Sequence, residues 1–115
     1  MYTHMDFTGK GFIGSAKAES SNGTKFGTVR IAKTDAWKNK ETGEKNERTH
    51  WFTVTTFVPQ HIEMIEKGWL AKGRYVEVSG ELRENRWTNS EEKEHVTVQL
   101  IAERVNFLDP KPSEE

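Results

Sequence analysis

The apolar positions of this chain come in short alternating runs separated by polar turns. That period of two reads as β-strands, interrupted once by a helical period. The first strand falls within residues 3–16, where Phe7, Gly9, Gly11, Phe12, Ile13 and Gly14 mix apolar side chains with glycines that permit bends or close approach. Asn22-Gly23, inside a polar turn at residues 20–24, leads to a second strand with Val29 and Ile31 on an inward face and Thr28 and Arg30 on the other. Residues 38–48, KNKETGEKNER, hold no apolar side chain and are predicted as an exposed hairpin loop. The third strand runs over about residues 49–58, before Pro59. Its even positions Phe52, Val54 and Val58 form the predicted core set, while its odd positions Trp51, Thr53, Thr55 and Phe57 place two large aromatics among hydroxyls. A strand with one buried face has no packing reason to carry those aromatics on the other.

Residues 60–67 are the one helical stretch, with Ile62, Ile65 and then Trp69 spaced along one side and Gly68 as a stop. This phase puts Trp69 in the core. A fourth strand follows with Val76, Val78, Gly80 and Leu82 inward and Tyr75, Glu77, Ser79 and Glu81 outward. Residues 83–94 read as a second polar hairpin tipped at Asn89-Ser90, and residues 95–105 as a fifth strand with Val96, Val98, Leu100 and Ala102 inward. Five strands with a short helix between the third and fourth is the order of the OB-fold, an all-β, five-stranded Greek-key barrel. Residues 1–107 are expected to form this one domain, and residues 108–115, LDPKPSEE, a short disordered tail.

The chain length of 115 residues suits a single domain, and a hydrophobic fraction of 33% predicts a thin core. Lys and Arg number 17 against 18 Asp and Glu, so any basic surface must be local. The longest apolar runs are three residues, 69–71 and 100–102, too short for a membrane span or a signal-peptide core. With no cysteine there is no disulfide, Cys-ligated metal or thiol nucleophile, and a reducing cytoplasm is the expected location. His4, His50, His61 and His95 are scattered, and aspartate occurs only at positions 6, 35 and 109, too sparse for a two-metal nuclease site. No nucleophile elbow or phosphate-cradling glycine loop occurs either. The expectation is therefore a non-enzyme without metal or cofactor.

Single-stranded nucleic acid offers unstacked base faces and a phosphate chain, so a non-specific binder interleaves exposed aromatics with cations. That interleaving is present. Trp37 enters the polar hairpin that carries Lys38, Lys40, Lys45 and Arg48; Trp51 and Phe57 follow on the outward face of the third strand; Arg83 and Arg86 precede Trp87. Between residues 25 and 59, seven cations, including Arg30 and Lys33, stand against four acids, a local excess within a chain of net charge −1. The competing reading is a packed core for the aromatics and a merely solvated hairpin for the charges. Alternation favours the platform role for Trp51 and Phe57 and leaves Trp37 and Trp87 open.

The residues W37-KNKETGE-44, then Glu47-Arg48-Thr49-His50-Trp51 and Phe57, resemble the signature of bacterial single-stranded-DNA-binding (SSB) proteins. The runs Leu70-Ala71-Lys72-Gly73, V76-EVSGEL-82 and R83-ENRW-87 are similar to that family further along. The resemblance covers about residues 24–105. It implies sequence-independent binding of single-stranded DNA in replication, repair and recombination. It also implies base stacking by Trp37, Trp51, Phe57 and Trp87, with phosphate contacts from Lys40, Lys72, Arg83 and Arg86. The matching aromatic at the helix end, Trp69, would be structural. Self-association as a dimer or tetramer is implied as well. The chain departs from the family pattern at residues 16–20, AKAES, and at Phe52, where the family commonly has histidine. The family's Gly/Gln/Pro-rich linker and acidic tip, which recruit repair enzymes, do not follow within these 115 residues, so the expectation is either a chain trimmed of that tail or a short variant that binds DNA without it. The alternative is an OB module for structured RNA, or a primosomal adaptor using the same sheet face.

Overall fold

The structure is a computed structural model and describes residues 3–109. Its elements are β1 (Asp6–Ser21), β2 (Thr24–Lys38), β3 (Lys45–Thr56), α1 (Pro59–Glu66), β4 (Tyr75–Thr88) and β5 (Glu94–Phe107). The strands close a barrel in the order β1-β2-β3-β5-β4, with β3 and β5 parallel over Val54–Leu100 to Thr56–Ala102 and every other pair antiparallel. Closure depends on β1 serving two neighbours. Its first half pairs with β4, its second half with β2, and Phe12 faces both Tyr75 and Ala32. This is the five-stranded OB barrel, with its helix between β3 and β4.

Inside sit Ile13, Val29, Ile31, Val54, Leu70, Val76, Val78 and Ala102, the inward alternation set of each strand plus one residue from the loop after α1. Burying these small aliphatics contributes about 1.5–3 kcal/mol for each full-sized side chain. A bulge in the β4–β5 ladder, where Ser79 faces Arg104 but Gly80 faces Ala102, leaves Glu103 as the extra residue. Across the barrel end, α1 buries His61 and Ile62. It starts without a side-chain cap, on Pro59. Thr56 replaces the missing cap from outside: its hydroxyl oxygen accepts the Val58 N–H at 3.3 Å and lies 2.7 Å from His61 Nδ1.

The structure corrects several sequence expectations. The two polar runs expected as loops are mostly ladder, since pairing continues to Lys38–Lys45 and to Thr88–Glu94, leaving only residues 39–44 and 89–93 as turns. Beyond the barrel a two-stranded ribbon is wetted on both faces, so it needs no apolar alternation. For the same reason Val96 and Val98, opposite Arg86 and Glu84, are exposed rather than inward. Phe52 has the inward phase, facing Ile31, but stands at the barrel mouth and is also exposed. There it lines an apolar hollow of about 360 Å³ with Phe7, Val54, Val78 and Leu100.

Trp69 is the largest correction, for it is 55% exposed while Leu70 is 1% exposed. Gly68 takes φ +80°, and the Trp69 and Leu70 amides both turn back to the Met64 carbonyl, at 2.9 and 3.1 Å. The helical phase ends there, and Leu70 fills the place the phase gave to the indole. Leu108 and Asp109, assigned by composition to the tail, are held: the Leu108 amide donates to the Tyr75 carbonyl at 2.8 Å, and Arg74 clasps Asp109. Residues 110–115 of that expected tail lie outside the described residues.

Candidate nucleic-acid interface

The four aromatics singled out by sequence, Trp37, Trp51, Phe57 and Trp87, are all open to solvent, each between 44% and 49% exposed. Trp51 projects from the outer face of β3 opposite Ala32. Its ring lies over Gly14, the extra residue of a β1 bulge between Ile13 and Ser15. A Cβ built on Gly14 would stand 2.3 Å from Trp51 Cζ3, so only glycine lets the indole lie flat there. The Arg30 guanidinium carbon is 4.9 Å from the Trp51 ring centroid, a cation–π contact that fixes the ring and places a positive charge beside it. Around it are hydroxyls: Thr34 and Thr49 hydrogen-bond at 3.1 Å, and Thr53 faces Arg30.

Phe57 follows the end of β3 and rests against Phe26, ring centroids 6.2 Å apart. Phe26 alternates with Thr28 and Arg30 along β2, so this pair shares the outer side with Trp51. The odd-position phase of the third strand thus correctly groups Trp51 with Phe57. Phe26 was missed, although its even position beside Thr28 and Arg30 was visible in the sequence.

Trp37 pairs with Asn46 and lies on the opposite side of the β2–β3 ribbon, with Lys33, Asp35, Arg48 and His50. Arg48 covers it, guanidinium carbon to centroid 5.8 Å. The ribbon therefore offers an indole and a guanidinium on each face. Its turn is set by short-range bonds: Asn39 Oδ1 accepts the Glu41 and Thr42 amides at 2.8 and 3.3 Å, and Thr42 Oγ1 accepts the Glu44 amide at 3.2 Å. Lys38 and Lys40 form no ion pair among the described residues. Lys33 and Lys45 do, with Asp35 at 3.1 Å and Glu47 at 3.7 Å. The hydrogen bond from Lys33 holds the Asp35 carboxyl below the usual carboxylate range, with His50 and Arg48 adding to the effect.

The β4–β5 ribbon carries Trp87, stacked on its register partner His95 at 5.3 Å with 18° between the planes. His95 is held in turn by Asn89, 2.8 Å away. The sequence reading missed His95; its position across the Asn89 hairpin from Trp87 was the available signal. Arg83 shares the Trp87 face and pairs with Glu81. Arg86 lies on the other face, bridging Glu84 and Glu94, and those carboxylates raise its pKa further. Lys72 sits in the loop after α1 without an ion-pair partner among the described residues. The next residue, Gly73, donates its amide to the Ile13 carbonyl at 2.8 Å, beside the bulge that supports Trp51.

The arrangement provides flat apolar surfaces, each backed on one side, with cations at their edges. No group of three or more potential metal ligands occurs among the described residues, and no helix among them is long and apolar enough to cross a membrane.

Comparison with known proteins agrees with this geometry. The Single-strand binding protein family profile matches residues 13–108. A relative named Single-stranded DNA-binding protein 1, from Xylella fastidiosa, is 37% identical over 90 residues, covering 78% of this chain and 65% of the relative. A Single-stranded DNA-binding protein of Rickettsia felis is 28% identical over 98 residues, covering 82% and 64%. The chain thus spans a little under two thirds of the length of these relatives. Among solved structures, a Plasmodium falciparum SSB in complex with ssDNA has the same fold, with a TM-score of 0.75 at 23% identity over 95% of this chain and 98% of that one. A Thermus aquaticus single-stranded DNA binding protein deletion mutant gives 0.70 at 23% identity over 93% and 51%. With its profile match running from Ile13 to Leu108, the chain belongs to the Single-strand binding protein family.

Proposed function

We propose that this chain binds single-stranded DNA without sequence preference and without catalysis, covering exposed strands during replication, repair and recombination in the cytoplasm. The observation that carries the reading is the solvent-open pair of Trp51 and Phe57 on one outer face, with Arg30 over the indole. Each stacking base contributes about 1–3 kcal/mol, and stacking tolerates any sequence because every base has a π face. Trp37, Trp51, Phe57 and Trp87 act as the platforms. Arg30, Lys38, Lys40, Arg48 and Lys72 are the phosphate contacts free of carboxylate partners among the described residues. Lys33, Lys45, Arg83 and Arg86 reach phosphate only by exchanging an acid for it.

The reading includes self-association. Residues 6–11 of β1 pair with β4 on one side only, and the second neighbour, β2, joins at Phe12. An unpaired strand edge is a template for another strand, and a second copy of the same edge completes its hydrogen bonds. Light scattering should therefore give a mass that is a multiple of one chain.

Titration with poly-dT tests the main reading. Tryptophan emission should be quenched with sub-micromolar affinity at moderate salt, and duplex DNA should do little. Trp51→Ala should weaken binding by about 1–3 kcal/mol and leave thermal stability nearly unchanged, since the ring lies outside the core. An equal response to duplex and single strand would overturn the assignment.

A further inference from the structure

We propose that Trp69, with Lys67 and Lys72, forms an additional stacking station for single-stranded DNA, continuous with the Trp51 platform; the inference rests on the reading above. Trp69 is more exposed than any other tryptophan of the chain, at 55%. It is nevertheless built like the two indoles of the β2–β3 ribbon. The Lys67 ammonium stands 5.1 Å from its ring centroid, as Arg30 covers Trp51 and Arg48 covers Trp37. A backed ring with one open face can receive a base without first being ordered.

The segment that carries Trp69 is fixed. The Arg74 Nη1 donates to the Trp69 carbonyl at 2.9 Å, while Nε and Nη2 of the same guanidinium bind the two Asp109 oxygens at 2.6 and 3.1 Å. The guanidinium carbon also lies 4.1 Å from the Phe107 ring centroid. Arg74 and Gly73 in turn bond to Ile13 on either side, Ile13 N–H to the Arg74 carbonyl at 2.9 Å and Gly73 N–H to the Ile13 carbonyl at 2.8 Å. Ile13 precedes Gly14, on which Trp51 lies. The loop that carries Lys72 and Trp69 is thus tied by backbone bonds to the residue next to Gly14, and the proposed strand path runs from Trp51 past Lys72 to Trp69. Lys67 is already paired with Glu63 at 2.8 Å, so it serves the ring and adds a phosphate contact only by leaving that acid. Lys72 needs no such exchange.

The test uses the full chain and a dT oligomer of about 16 nucleotides, the upper site size for one OB domain. A variant with Trp37, Trp51 and Trp87 each changed to Phe keeps Trp69 as the single indole reporter. Its emission should be quenched on binding. In the otherwise native chain Trp69→Ala should weaken the oligomer roughly 5- to 30-fold, Trp69→Phe should restore most of that loss, and both should melt with the native chain. If the native chain binds but Trp69→Ala binds equally well, the station is refuted while the main reading stands; this arm decides even where the triple variant folds or binds poorly. If Trp69→Ala instead lowers the associated mass in light scattering with no change in affinity per site, the ring is a contact between copies and the proposal falls. Failure of the native chain to bind the oligomer removes both readings together.

Discussion

An aromatic ring can receive a base only when one face is open and the ring is already held, because ordering a loose side chain consumes part of the stacking energy. In this protein each candidate ring has a distinct backing: Arg30 and Gly14 for Trp51, Arg48 for Trp37, Phe26 for Phe57 and His95 for Trp87. Gly14 gives the sharpest test at this scale. Gly14→Val places methyl groups where the indole lies, yet the site is on the barrel's outer surface and away from the core. Single-strand affinity should fall by about 1–2 kcal/mol, read by fluorescence titration beside thermal melting of the same variant. The alternation of the third strand showed that Trp51 and Phe57 face outward, since a period of two leaves only two faces. It could not show the partner under each ring, because Gly14 and Trp51 are joined only by the fold.

At the scale of elements, α1 is a short helix whose start depends on one buried contact. The Thr56 hydroxyl oxygen accepts the Val58 amide and lies 2.7 Å from His61 Nδ1, and burial lowers the His61 pKa from its ordinary 6.5. The folded chain thus resists a proton that the unfolded chain accepts. Above about pH 6.5 His61 is neutral in both states and stability does not respond to it. As pH falls below that value the unfolded state gains the proton first, so the melting temperature should decline with acidification. His61→Gln should flatten that part of the pH profile. The ribbons teach a different lesson about reading elements from sequence. Residues 38–48 and 83–94 looked like loops because strand recognition relies on one buried face, and a ribbon projecting from a barrel has none.

For the whole molecule, the decisive quantity is how many cations remain available to phosphate. Nine were nominated by sequence, but Lys33, Lys45, Arg83 and Arg86 are engaged by Asp35, Glu47, Glu81, Glu84 and Glu94. Such exposed pairs add little stability, yet each cancels a charge locally. With the five remaining cations each meeting a phosphate, log K should fall with log salt at a slope of about −3.5 per protomer, rather than about −6 for all nine. Glu81→Gln, which releases Arg83 beside Trp87, should steepen the slope by about 0.7. Affinity measured across salt concentrations checks both. The modest slope leaves stacking as the larger share of binding, consistent with a chain whose net charge is −1.

The sequence by itself determined the strand order, the single helix, most of the inward-facing core and the outward pair Trp51 and Phe57. These follow from local periodicity and turn chemistry, which are written in neighbouring residues. Only the tertiary structure decided the rest: that β1 divides between β2 and β4, that Phe52, Val96 and Val98 face water, that Leu70 displaces Trp69 from the core, and which cations are neutralised. Each of those outcomes depends on where the barrel closes and on what stands across a ladder or beyond a bulge. A phase read along one strand or helix carries no information about where its partner ends, and that boundary is what separates buried from exposed.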